Sequence, residues 1–291
     1  MSDDFAVDKR LLRRSFEKAA AGYDAAALLQ HEVCRRMLSR LDYIKHAPRA
    51  ILDAGSGTGN VMPALHARYP EATLYALDIA LAMVRRARGR APWWQRLLGH
   101  GVLPLCGDIE QLPLRDAAID MVWSNLTLQW VNEPQRAFSE FRRVLAPGGL
   151  VMFSTFGPDT LKELRAAYQG ADRYTHVNRF IDMHDLGDML VHGGFAAPVM
   201  DMEYMTLTYS NVLALMRDLK AIGAHNMTAG RRPGMTARAT LAAVERKYER
   251  LRRDGRLPAT FEVVYGHAWA PQPALSPTSR PVIEIKSRGR S

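Results

Sequence analysis

Two cysteines in 291 residues, Cys34 and Cys106, give no disulfide framework, and neither sits at CxxC or Cys/His zinc spacing. The nine histidines are scattered, with no HExxH arrangement, so no metal is expected. No apolar run approaches the roughly 18 residues of a membrane span. The opening MSDDFAVDKRLLRRSFEK is charged throughout, without the apolar core of a secretory signal. These absences give the expectation of a soluble, cytoplasmic chain that meets no membrane. Acid is also missing where base gathers: between Asp78 and Asp108 stand Arg85, Arg86, Arg88, Arg90 and Arg96, and no carboxylate.

Hydrophobic residues make up 47% of the chain, ample for a packed core in one large domain or two small ones. The net charge of +9 suits an acidic partner, whether nucleic acid, an anionic surface or an acidic protein. A second basic stretch runs from Arg231 to Arg256, with nine basic residues against Glu245, Glu249 and Asp254. A solvated helix face explains either stretch equally well when taken alone.

Residues 9 to 45 read as N-terminal helices, with Val33, Met37, Leu41 and Ile44 on one stripe and a break at Gly22-Tyr23-Asp24. Strand-like runs then alternate with helical ones: 50–55, a helix to Tyr69, 73–79, a helix to Arg90, 102–108, 118–125, a helix over 134–145, and 149–156. That alternation argues for an α/β, Rossmann-like parallel sheet with helices on both faces. Further on, 158–169 and 184–192 read as helices and 199–209 and 259–270 as strands. Between those strands lies a helical insertion over 210–256, expected to cover a sheet edge or the ligand-bearing rim. The reading is one domain over 1–270, followed by a proline-, serine- and arginine-rich tail, 271–291, of disordered composition.

The stretch ILDAGSGTGN, 51–60, places Asp53 ahead of Gly55, Gly57 and Gly59. A dinucleotide fingerprint is GxGxxG, with pyrophosphate on the amides of the following helix. Here the third glycine comes one residue early, and a carboxylate at the strand end would repel pyrophosphate. It suits a ligand carrying an ammonium and a sulfonium instead, which is S-adenosylmethionine. Asp78 then stands where it can accept from both ribose hydroxyls, beside Ile79, and Asp108 where it can accept from the adenine amine, with Ile109 against the ring. Three acids at successive strand ends mark the edge where open parallel sheets bind ligands.

These motifs, with the late Pro147-Gly148-Gly149, resemble those of class I S-adenosylmethionine-dependent methyltransferases over residues 49–156. That resemblance implies seven strands with the last antiparallel. SFEKAAAGYD, DIEQLPL, WSNLTLQW, HVNRF and MRDLKAIGAHN are further similar to the biotin-pathway malonyl-[acyl-carrier-protein] O-methyltransferase family. The resemblance implies methylation of the free carboxylate of a malonyl thioester, on acyl carrier protein or coenzyme A, and Tyr23 as a cover for the pocket. Asn125 and Gln129 fall where family members line the methyl-transfer site, while Trp130 reads equally as core. Candidate anchors for the carboxylate are Arg179 and Arg165, with Lys220 and His225 behind them. The basic stretch 231–256 would dock the acidic carrier. Other small carboxylates, a quinol-like acceptor and tRNA stay open as substrates, although no RNA-binding module is visible to favour nucleic acid, and so does a non-catalytic cofactor-binding subunit.

Overall fold

The apolar runs form seven strands: β1 Ala50–Ala54, β2 Thr73–Asp78, β3 Leu103–Cys106, β4 Ile119–Asn125, β5 Leu145–Phe156, β6 Ala196–Tyr209 and β7 Leu257–Trp269. In this computed structural model, which describes residues 3–90, 101–224, 226–232, 234 and 236–272, they make one sheet in the order β3-β2-β1-β4-β5-β7-β6. β7 runs antiparallel to both β5 and β6, and the remaining pairs are parallel. The sequence-expected sheet is therefore observed, last strand included. Arg96, His225 and the tail from 273 lie outside the described residues.

Ten α-helices are described: α1 Lys9–Ala19, α2 Tyr23–Ala26, α3 Leu28–Arg40, α4 Met62–Arg68, α5 Leu81–Arg88, α6 Pro134–Val144, α7 Lys162–Tyr168, α8 Met183–His192, α9 Val212–Ala221 and α10 Arg238–Glu249. Their starts follow local chemistry. Asp8 caps α1 by accepting from Arg10 N and Leu11 N, and Asn211 caps α9 by accepting from Ala214 N at 2.9 Å. Pro134 opens α6 at a position whose amide needs no partner. α7 begins four residues later than its periodicity suggests, because Leu161 before it is left-handed at φ 55°.

Two cores flank the sheet. On one face Val33, Met37 and Leu65 pack on Ile51, Trp123 and Met152; on the other Phe138 and Phe141 pack on Val122, Val151 and Phe153. β5 starts at Leu145, not at Gly149, because Pro147-Gly148-Gly149 is a bulge inside the strand. Its register against β4 jumps from Ile119↔Leu145 to Met121↔Leu150.

The N-terminal segment crosses the carboxyl ends of the strands and pairs with the insertion. Val7 and Thr228 form an antiparallel bridge, Asp8 N donates to Met227 O at 3.0 Å, and Ala229 N donates to Ala6 O at 2.8 Å. Asn132, after β4, accepts from Val7 N at 2.7 Å and donates to Val7 O at 3.0 Å. Glu17 on α1 accepts from Leu81 N and Ala82 N, capping α5 from outside. Segments distant in the chain, the first residues, the loop after β4 and the insertion, are thus tied to one another.

Gly266 in β7 leaves room for the buried Phe153 ring: a Cβ there would lie 2.3 Å from its Cζ. Gly266→Ala is expected to destabilise the fold by about 1–3 kcal/mol through overpacking, read as a lower thermal midpoint. An unchanged midpoint would mean that this part of the sheet yields without cost.

Candidate active site

The turn after β1 is shaped by left-handed glycines, Gly55 at φ 84°, Gly57 at 51° and Gly59 at 76°. Gly55 N and Ser56 N both donate to Leu77 O at 2.8 Å, tying the turn to β2. A Cβ on Gly55 would fall 2.1 Å from Thr127 Oγ1, and one on Gly59 2.8 Å from Ala87 Cα. At Gly57 the space is open, with the Tyr23 ring 3.8 Å away. Two of the glycines are thus required by packing, and the third presents bare backbone to a cavity.

Asp53 and Asp78 end β1 and β2 on either side of this turn, with only 3% and 9% exposure. Asp78 accepts from Gly57 N at 2.9 Å and Ala80 N at 2.8 Å. Burial nonetheless pushes its carboxyl up to about 6, against the pull of those amides. Burial, and then the charge of Asp78, raises Asp53 well above the usual carboxylate range. Two crowded carboxylates therefore sit where positive charge would be welcome and phosphate would not.

Two small cavities open here. One, of about 80 Å³, is lined by Tyr23, Gly55, Gly57, Asp78, Ile79, Asp108, Ile109 and Asn125, together with Lys9 and Phe16. The other, of about 50 Å³, lies against Asp53 and shares Tyr23, Gln30, Gly55, Gly57 and Asn125 with the first. Among the described residues, Gln30 Oε1, His31 Nε2, Ser56 Oγ and Trp123 Nε1 are buried without a hydrogen-bond partner, and all four residues line this second cavity. Burial lowers the His31 pKa, favouring the neutral ring.

Every cofactor-binding residue expected from the sequence except Gly59 lines one or both cavities. Gly59 instead lets the turn close against α5. Asp108 has a partner that local sequence did not suggest: Lys9 Nζ lies 3.0 Å from its carboxylate and also pairs with Glu110. Asn125 is engaged at both ends, donating to Gln30 O at 3.1 Å and accepting from Ser154 Oγ at 2.9 Å. Tyr23 is half-buried; burial and the charges of Asp78 and Asp24 push its hydroxyl far up, so it keeps its proton. Its neighbour Asp24 bonds Thr58 and Arg90, fastening α2 to the glycine turn. Gln30, His31, Ser56 and Lys9 were not anticipated as site residues. Ser56 alone carried a signal, lying inside the turn motif.

The expected anchors do not line the two small cavities. Arg165 and Arg179 line an adjoining chamber of about 1050 Å³, which meets the first cavity at Gln129 and Phe156. Arg165 donates to Pro158 O at 2.8 Å and Thr160 O at 3.1 Å, and its burial lowers its pKa. Arg179 is exposed and has no side-chain bond among the described residues. A second chamber of about 690 Å³ borders the same Gln129 and Phe156, with Trp130 and Ile222. Lys220 is exposed outside both chambers. Among the described residues no group of three or more His, Cys, Asp or Glu could hold a metal, and no helix is long and apolar enough to cross a membrane.

A malonyl-[acyl-carrier protein] O-methyltransferase from Gallionella capsiferriformans is 55% identical to this chain, over 97% of this chain and 98% of its own. The chain belongs to the malonyl-[acyl-carrier protein] O-methyltransferase family. A second member, from Nitrosospira multiformis, is 58% identical over 94% of this chain and 92% of its own. Residues 52–153 match the methyltransferase domain family. The fold is similar to the solved YcgJ protein of Bacillus subtilis, with TM-score 0.56 at 14% identity, covering 82% of this chain and 99% of that one. It is also similar to the [4+2]-cyclase SpnF, with TM-score 0.51 at 22% identity and 81% of each chain covered.

For this family the cofactor is S-adenosylmethionine, and the site's chemistry fits it. Crowded buried carboxylates match a cation-bearing nucleoside, the orphaned polar atoms of Gln30, His31 and Ser56 match its amino-acid end, and the open Gly57 backbone permits close approach. Asp78→Asn is expected to weaken cofactor binding by at least about 10-fold, since hydrogen bonds to a charged group are lost. Because the folded carboxyl lies above its unfolded value, its ionisation opposes folding of the free protein progressively as pH rises from the ordinary carboxylate range through about 6, and in full above that. The thermal midpoint of the free variant at pH 7 should therefore be no lower than wild type. A fall in both would make Asp78 a structural residue only.

Proposed function

We propose that this chain transfers the methyl group of S-adenosylmethionine to the free carboxylate of a malonyl thioester borne by acyl carrier protein, early in pimeloyl and biotin synthesis. The observation that carries the reading is the near full-length identity with malonyl-[acyl-carrier protein] O-methyltransferases. The site geometry supports it, because a carboxylate-rimmed cavity opens beside a chamber lined by arginines.

When bound, S-adenosylmethionine supplies an electrophilic methyl group. The residues that would hold it are Asp53, Asp78, Asp108, Ile79, Ile109 and the glycine turn, with Tyr23 and Asn125 closing the wall and Gln30, His31 and Ser56 at the inner end. The acceptor asks little of the protein: a carboxylate with an ordinary pKa near 4 is already ionised at neutral pH, so no general base is required. The chain's contribution is alignment and exclusion of water. Phe16 packs edge-on to Trp130 at 5.7 Å and Phe156 to Phe180 at 5.8 Å, giving apolar walls where cavity and chambers meet. Arg165, already oriented by two carbonyls, and Arg179 supply the positive charge that draws in a carboxylate. The neutral ester that results no longer matches them, which favours release.

The carrier would dock on the exposed arginines of the 231–256 stretch. Arg252 and Arg256 are tied to nearby carbonyls and Lys247 donates to Gln169 O, leaving Arg238, Arg246, Arg250 and Arg253 exposed without side-chain bonds among the described residues. α10 packs against α7, which bears Arg165, so a carrier held there stands beside the chamber.

Labelled methyl transfer should appear on malonyl carrier protein and not on bulk tRNA; label on tRNA alone would overturn the reading. Arg165→Ala and Arg179→Ala should each raise KM for the malonyl thioester by about 10-fold, with cofactor affinity kept. Unchanged kinetics would remove that arginine as an anchor. The double change Arg246→Glu, Arg250→Glu should raise KM for the carrier substrate at low salt and leave malonyl coenzyme A unaffected. Equal effects on both would place docking elsewhere.

A further inference from the structure

The chamber of about 690 Å³ has no part in the reaction derived above. It shares Gln30, Gln129, Trp130, Phe156, Ile222 and Ala224 with the cofactor cavity, whereas the arginine-bearing chamber shares Gln129, Val131 and Phe156. It therefore opens on the cofactor cavity along the broader front. Its walls are apolar: Leu161 and Leu164 at the start of α7, Leu207 and Phe261 from β6 and β7, and Met216 and Leu219 from α9. Among the described residues no arginine or lysine lines it. Several of its polar side chains are already engaged: Tyr209 donates to Asp218 at 3.1 Å, Thr160 to Glu262 O at 3.1 Å and Asn226 to Thr175 O, while His176 Nε2 lies 2.7 Å from Asp172. Leu28, at the start of α3, belongs to the same lining and is 71% exposed, so the lining reaches solvent as hydrocarbon.

We propose that this chamber binds the hydrocarbon tail of a free, straight-chain fatty acid of medium length, which thereby becomes a second class of methyl acceptor. This rests on the reading that the chain methylates a carboxylate with S-adenosylmethionine. The volume lies within the range of small-molecule sites. An arm bearing amides, or a chain ending in a second carboxylate, would lose hydrogen bonds to water in such a chamber and recover few of them. A methylene chain has none to lose and gains from burial. Charge then sets its direction. Asp218, one helical turn before Ile222 on α9, is the chamber's one carboxylate among the described residues, and it repels an acid head. The head is left at the junction of Gln129 and Phe156, where the cofactor cavity begins. An ordinary carboxyl there is ionised at neutral pH. One of its oxygens forms the new carbon–oxygen bond, the methyl–sulfur bond breaks, and its electron pair stays on sulfur. A neutral methyl ester and a neutral thioether result, and no proton moves. With no cation in the chamber, tail burial supplies the affinity.

The test uses the full chain, labelled S-adenosylmethionine and the acids butanoate, hexanoate, octanoate and decanoate, with malonyl coenzyme A alongside. Labelled methyl octanoate should form, and KM should fall about fourfold for each added methylene until the chamber is filled, the transfer free energy of one CH₂ read as a ratio. Leu219→Trp, which fills the chamber from α9, should raise KM for octanoate about 10-fold or more. KM for malonyl coenzyme A and the cofactor dissociation constant should stay within about twofold in that variant. Met216→Trp fills the same space and serves if the first variant does not fold. No ester from any of the acids, a KM that does not change with chain length, or equal weakening of octanoate and malonyl coenzyme A overturns the proposal and leaves the parent reading intact. Label on the acids but on no malonyl thioester overturns the malonyl reading and keeps this one. A wild-type chain that binds cofactor and labels neither overturns both.

Discussion

The structure is organised around the repulsion between two buried carboxylates. Asp53 and Asp78 end neighbouring strands across the glycine turn, and burial raises the pKa of both. Removing charge from water is costly unless a partner answers it. Amides from Gly57 and Ala80 answer part of that cost at Asp78. The remainder is available to a ligand that brings positive charge and hydroxyl donors, and it excludes one that brings phosphate. The same turn geometry that cradles pyrophosphate elsewhere is here inverted in sign, with Gly57 still offering close backbone approach.

The ties around the site follow from that arrangement. A site built of polar atoms at the open edge of a sheet gains selectivity only when water is kept out. The chain closes it with its own first residues. Val7 is held by Asn132 and paired with Thr228, Lys9 reaches Asp108, Glu17 caps α5, and Asp24 is bonded to Thr58 and Arg90. The insertion is tied to the same segment and, through Gly230 and Asn226, to the loop bearing His176. The two small cavities and the chambers beside them are therefore bordered by segments tied to one another.

Local pattern carried the sheet, the glycine turn and the strand-end acids into view, because each depends on residues close in the chain. Strand limits shifted where a backbone device was hidden: Pro147-Gly148-Gly149 reads as a turn yet bulges within β5, and left-handed Leu161 delays α7. What sequence could not reveal was reach. Lys9 meets Asp108 across 99 positions and Gln30 meets Asn125 across 95, both from helices whose periodicity speaks only of packing. His31 looked like any polar position on an amphipathic helix. Arg165 and Arg179 were legible as cations but not as lining a chamber beside the small cavities. His225, expected as a minor candidate, lies outside the described residues.

The measurement that bears most directly on the carboxylate pair is calorimetric titration of S-adenosylmethionine in buffers of different ionisation heat, between pH 5 and 7. A cation beside Asp53 and Asp78 favours their charged forms, so binding should release protons near pH 6, and affinity should climb as pH rises through that value. Binding without proton release and with no dependence on pH, or heat with NAD and none with S-adenosylmethionine, would contradict the account.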